Sequence, residues 1–170
     1  MLNEIKNEII EYGKLAGEKN LTSGNSGNIS SRASDKIIIT ATNTANGFLC
    51  PEDLTLIDYE GGVIEGKKPS SEKFLHIEFY KQREDINAIF HVHSPYLTAF
   101  SSSGNALDEK ILPEIVYSFE KIPLADYALP GSMDLVEKTS KYCVLSKLSI
   151  ESLVLTTSSL GVTLLTCVTS

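Results

Sequence analysis

The stretch "AIFHVHSPY", residues 88–96, carries His91 and His93, two of the chain's three histidines, one residue apart after an apolar run. Along a β-strand alternate side chains share a face, and the Cα atoms of such a pair stand roughly 6.5 to 7 Å apart. Two imidazoles placed this way can converge on one transition metal at about 2.0–2.1 Å per bond. They can equally be a pair of hydrogen-bonded histidines at a strand end, and the spacing alone does not choose between the two. Zinc needs a third protein ligand, and a catalytic zinc keeps one further position open.

Glu72, just before the segment that leads into this strand, is the natural carboxylate to stand near the pair. Taken alone it reads as a first-turn acid complementing a helix dipole. Pro69, Ser70 and Ser71 precede it, and a helix N-terminus with two hydroxyls is also a ready phosphate cradle. His76, four residues after Glu72, falls on the same helix face and is expected to be buried and hydrogen-bonded in preference to binding metal. The loop Ser23–Ser30 adds Gly24 and Gly27, where backbone N–H groups can turn toward an anion, with Asn28 and Ser30 as side-chain donors.

These residues need a scaffold of helices and short strands. Leu2, Ile5, Ile9, Ile10 and Leu15 recur at helical spacing with charges between them, so the N-terminus is an amphipathic helix and not a signal peptide. "TSGNSGNISSR" reads as a tight loop entering a strand, "KIIIT" as a β-branched strand, and "DLTLIDYEGGVIEG" as two strands around a Gly-Gly turn. "PSSEKFLHIEFYKQR" predicts a helix over about 71–83, "INAIFHVH" a buried strand, and "SPYLTAFSSSG" a short helix entered through Pro95. Further on, "EIVYSFE" and "IPLADYAL" read as extended segments and "GSMDLVEKTSKY" as a helix capped by Ser132. The result is an α/β layered domain.

The chain's 170 residues suit one domain, 1–170, with a core that needs no disulfide or metal to hold it. Fifteen basic against 22 acidic side chains leave a net charge of −7, which disfavours a broad electrostatic hold on nucleic acid or an anionic membrane. Cys50, Cys143 and Cys167 form no C-x-x-C pattern, so a reducing, cytoplasmic setting is expected. Residues 143–170 differ in kind: only Lys147 and Glu151 are charged, in a run of Ser, Thr and aliphatic residues. Broken by hydroxyls and Gly161, the run is expected to form two buried strands around a turn at Ser158–Gly161, not a membrane span.

Taken together, "SGNISSR", "ITATNTANGFLCPEDL", "PSSE" and "INAIFHVHSPYLTAFS" resemble the class II aldolase/adducin domain family, over about residues 1–142 and in order. The resemblance implies a three-layer α/β/α domain with a central, largely antiparallel sheet, assembled as a homotetramer. It implies zinc or another divalent transition metal on His91 and His93, and Glu72 as catalytic acid/base. It assigns Gly27, Asn28, Thr42, Asn43, Ser70 and Ser71 to the phosphate of a small sugar phosphate. Tyr117 matches a tyrosine that reaches a neighbouring subunit's site. The implied reaction is retro-aldol cleavage, or a related epimerisation or dehydration.

One part of the family pattern is missing. Members carry a third zinc-binding histidine in a later "L-L-x-N-H-G-V" strand, where this chain reads "LTTSSLGV" with Ser159 and Leu160 before Gly161. Three explanations are consistent with that: a metal-poor relative serving as a binding or assembly module, a third ligand drawn from His76, Glu72 or a neighbouring subunit, or an altered reading frame after about residue 142.

Overall fold

The isoleucines of "KIIIT" are wholly buried within the sheet. A computed structural model describes residues 1–104, 124–143, 153–158 and 161–169. In it this run is strand β2 (Lys36–Thr40), flanked antiparallel by β1 (Asn28–Ala33) and β3 (Leu54–Ile57). β4 (Val63–Glu65) returns along β3 after the Gly-Gly turn, and β5 (Ile86–Val92) pairs antiparallel with the other side of β1. The tail contributes β7 (Leu153–Ser158) and β8 (Gly161–Thr169), an antiparallel pair in which β8 lies against β5. A two-residue β6 (Leu124–Ala125) runs parallel to β7 at the edge. The order of the described strands is β4-β3-β2-β1-β5-β8-β7-β6, antiparallel throughout except at β6–β7, as expected for a largely antiparallel sheet.

Helix α1 (Leu2–Glu18) covers one face of the sheet, and α2 (Lys73–Gln82) with α4 (Met133–Cys143) covers the other. Strand alternation assigns the residues: Ile38 packs with Ile9, Ile29, Leu54 and Leu56 on the α1 side, while Ile37, Ile39 and Ile57 pack with Leu75, Phe79, Leu135 and Val136 on the α2 side. A shift in pairing register between Ile86 and Ala88 accompanies an exception to strict alternation, since both Ile86 and Ile89 join the α2-side core. α3 (Pro95–Ser102) lies along β7 and β8.

Three expectations change in detail. On α1 the buried stripe runs through Ile9, Gly13 and Ala16, whereas Leu2 and Leu15 stay exposed, so the apolar residues outnumber the face that the sheet can cover. The polar stretch "TSGNSGNISSR" is loop only up to Gly27; Asn28 to Arg32 form most of β1, and Asn28 and Ser30 are buried. Helix α2 begins at Lys73, with Glu72 at its N-cap position and making no capping hydrogen bond there. Ser132 caps α4 as expected, its Oγ accepting the Leu135 N–H at 3.1 Å. "EIVYSFE", Tyr117, Ser159 and Leu160 lie outside the described residues, as do the side chains of β7 and β8.

Arg32 ties α2 to the sheet, a role with no sequence signal. Its guanidinium donates to the backbone oxygens of Ile86, Tyr80 and Arg83 at 2.9, 2.8 and 2.9 Å, and to the Tyr59 hydroxyl. A cation that satisfies carbonyls at the end of a helix also complements the negative pole of its dipole.

Candidate active site

Three separate loops meet at one end of β1, β2 and β5. Ala41 and Pro69 form an isolated antiparallel bridge; Thr42 N–H donates to Lys68 O at 2.9 Å and Ser70 N–H to Thr40 O at 3.0 Å. That short pairing brings "TATN" against "PSSE". Gly27 carries the third loop past β5: its φ is +78°, and a Cβ there would fall 2.2 Å from the backbone oxygen of His91. Only glycine permits this approach, and it places Asn28 opposite His91 in the β1–β5 register.

The resulting cavity, about 240 Å³, is lined by Gly27, Asn28, Thr42, Asn43, Ser70, Ser71, Glu72 and His93. All six residues that the resemblance assigns to phosphate therefore share one pocket with the expected acid/base. Asn43 holds φ +61°, a left-handed conformation that asparagine tolerates better than most residues. Sequence reasoning missed two contributors. Pro130 also lines the pocket, from the turn before α4, where Gly131 at φ +73° passes close to Ser71. Asn46, wholly buried, donates from Nδ2 to the Ser26 oxygen at 2.9 Å and so pins the Gly27 loop from behind. A "Pro-Gly" turn and an asparagine next to glycine were the available signals, and both are common in ordinary loops.

Glu72 does not serve the helix dipole alone; it turns inward. Its Oε2 accepts from Asn28 Nδ2 at 2.8 Å and stands 2.7 Å from His91 Nδ1. Burial raises the carboxyl's pKa, but the His91 charge and the hydrogen bonds from His91 and Asn28 outweigh it, holding it down to about 2. The group is a carboxylate at neutral pH. Behind it, Asn28 Oδ1 meets His76 Nε2 at 2.5 Å, and His76 Nδ1 meets Ser30 Oγ at 2.6 Å. His76 is thus the buried, hydrogen-bonded histidine expected, with both ring nitrogens engaged, and it is not available as a third ligand. Burial, then repulsion from His91, holds its pKa down to about 3.

His91 and His93 do converge, although β5 ends at Val92 and His93 lies just beyond it. Their rings stack with centroids 5.0 Å apart and planes 19° from parallel. His93 is half-buried, and burial, followed by repulsion from His91, holds its pKa down to about 4, leaving the neutral imidazole that a metal binds. The chemistry of this pair fits two ligand positions of a transition-metal site. Among the described residues no three His, Cys, Asp or Glu side chains form a group able to hold a metal, so the pair is not completed there.

A buried carboxylate and two imidazoles thus stand beside a hydroxyl- and amide-lined pocket at one end of a largely antiparallel sheet. The profile of the family described as Class II Aldolase and Adducin N-terminal domain matches residues 7–154, and the chain belongs to that family. An L-fuculose phosphate aldolase of Methanocaldococcus jannaschii is 39% identical over 136 residues, covering 80% of this chain and 74% of its own. A 3-oxo-tetronate 4-phosphate decarboxylase of Haemophilus influenzae is 34% identical over 148 residues, covering 84% of this chain and 70% of its own. Among solved structures an L-fuculose 1-phosphate aldolase superposes with a TM-score of 0.85 at 28% identity, over 98% of this chain and 76% of its own. Among the described residues, no helix is long and apolar enough to cross a membrane.

Proposed function

We propose that this chain is a class II aldolase-type enzyme that cleaves, or carries out a related reaction on, a small sugar phosphate. The observation that carries this reading is the meeting of Glu72 and the His91–His93 pair with the Gly27–Asn28, Thr42–Asn43 and Ser70–Ser71 loops around one cavity. The relatives are named for aldolases and a decarboxylase, and that leaves a non-catalytic binding or assembly role without support.

In this reading the loops hold the phosphate through backbone N–H groups, hydroxyls and the Asn28 and Asn43 amides. Backbone N–H groups, hydroxyls and amides can hold an anion through their dipoles, and among the described residues such groups line the pocket. Holding the phosphate fixes the reacting carbons relative to Glu72. Glu72, ionised and lining the cavity, takes a proton from a substrate hydroxyl or carbon at one carboxylate oxygen and returns it later. A divalent metal, with zinc the first choice, when bound at His91 and His93 would polarise a carbonyl oxygen and stabilise enediolate charge. The same reading makes 1–170 one domain of a cytoplasmic homotetramer, with Tyr117 reaching a neighbouring site and a third metal ligand supplied from outside the described residues.

Metal content and turnover test it. Purified protein supplied with Zn2+ is expected to hold close to one equivalent per chain and to release aldehyde from L-fuculose 1-phosphate or a related ketose phosphate. His91→Ala should lower both. Metal content well below one equivalent that His91→Ala leaves unchanged would overturn the enzyme reading.

A further inference from the structure

The Glu72 carboxylate dictates the direction of every hydrogen bond behind it. An ionised carboxylate only accepts, so Asn28 must turn its NH2 toward Glu72 Oε2, the contact of 2.8 Å. That leaves Asn28 Oδ1 facing His76 Nε2 at 2.5 Å. An amide oxygen also only accepts, so Nε2 carries the ring proton. His76 is wholly buried, and burial disfavours a charged ring. A neutral ring protonated at Nε2 has a bare Nδ1, which therefore accepts from the Ser30 hydroxyl at 2.6 Å. With its proton committed, Ser30 Oγ accepts from the Tyr80 hydroxyl at 2.9 Å.

Two periodicities produce this alignment. His76 and Tyr80 are four residues apart on α2, and Asn28 and Ser30 are two apart on β1, so two helix side chains meet two strand side chains in register. All four are buried, at 0, 1, 5 and 0% exposure respectively, so water cannot substitute for a missing partner.

We propose that His76 is a positioning residue for Glu72. Its Nε2–H anchors the Asn28 amide on the side away from the carboxylate, and Ser30, itself bonded to Tyr80, satisfies the bare Nδ1 and fixes the ring in place. The inference rests on Glu72 being the acid/base group. Without the Nε2–H donor the Asn28 amide still presents its NH2 to the carboxylate but is no longer anchored on its other side, so it can shift and loosen the contact that fixes Glu72.

The first readout does not use turnover. In long-range 1H–15N spectra at pH 7, His76 is expected as a single Nε2–H tautomer, and His76→Leu is expected to move the Asn28 side-chain NH2 resonances. An Nδ1–H tautomer, or Asn28 resonances unchanged in His76→Leu, would overturn the proposal. Ser30→Ala, which removes the partner of Nδ1, is a milder change should His76→Leu fail to fold. It is expected to keep the Nε2–H tautomer while loosening the ring and moving the Asn28 NH2 resonances, and Asn28 resonances left unmoved would overturn the proposal. The second readout is kinetic, with L-fuculose 1-phosphate. His76→Leu should lower kcat about 10- to 100-fold with KM little changed, and His76→Gln, which keeps an N–H donor, should restore most of it. Equal losses in both variants, or an effect confined to KM, count against positioning. Full turnover in Glu72→Gln would instead overturn the acid/base reading, and the spectra of His76 and Asn28 separate the two failures because they do not depend on catalysis.

Discussion

Asn28 and Ile29 are neighbours in β1, nearly equally buried, and they face opposite solutions to burial. On the α1 side Ile29 is held by apolar contact with Ile9, Ile38, Leu49 and Leu54, which needs fit but no direction. On the α2 side Asn28 sits among Glu72, His76 and His91, where every contact requires a donor to meet an acceptor. The apolar face can absorb small changes of shape at a cost in stability. The polar face transmits them along a line of hydrogen bonds to the carboxylate in the pocket. On the proposed reading one strand joins a structural face to a functional one, and substitutions on its two sides should differ in kind.

The largest effect is expected from Glu72→Gln, which keeps the shape of the side chain and removes the proton acceptor. Turnover of L-fuculose 1-phosphate should fall by about 10²- to 10⁴-fold, while a thermal melt followed by circular dichroism stays close to that of the parent chain. The mirror-image case is Ile29→Ala. Its cavity under α1 should cost about 3 kcal/mol in urea unfolding, with kcat of the remaining folded protein nearly unchanged. Equal losses of turnover in the two variants would show that the two faces are not separable.

Acid should expose the polar face selectively. His76 is held at about 3 in the folded chain against an ordinary 6.5, so between those values the unfolded chain binds the extra proton. Its contribution to stability is complete above pH 6.5 and is lost progressively as pH falls toward 3. Urea midpoints measured across this window should decline in the parent chain, with a shallower decline in His76→Gln. Ser132→Ala, at the start of α4 and away from both faces of β1, should cost only about 1 kcal/mol in unfolding through the lost cap, with no effect on metal content.

Much of this site was legible in residue types. "PSSE", "TATN" and "SGNIS" supply the glycine, hydroxyls and amides that line the pocket, and the alternation of His91 and His93 brings their rings together, as strand periodicity leads one to expect. Asn28 was legible as a side-chain donor, but its contact to Glu72 was not, since the two are 44 residues apart in sequence. The Arg32 anchor and the Asn46 pin were invisible for the same reason: both satisfy backbone carbonyls whose proximity only folding creates.

The sequence by itself determined the alternation that puts His91 and His93 on one side, because strand geometry has a period of two whatever lies above it. The extension of β1 back to Asn28, which sends Asn28, Ser30 and Arg32 to one face and Ile29 to the other, came from the structure. The sequence also determined that Gly27 and Asn43 could take left-handed backbone conformations. Only the tertiary structure decided that Glu72 turns away from its own helix dipole to meet His91, that His76 belongs to Asn28 and Ser30 and not to a metal, and that Pro130 helps line the pocket. Those choices depend on which buried donor finds which buried acceptor across distant segments, and local sequence does not encode distances between segments.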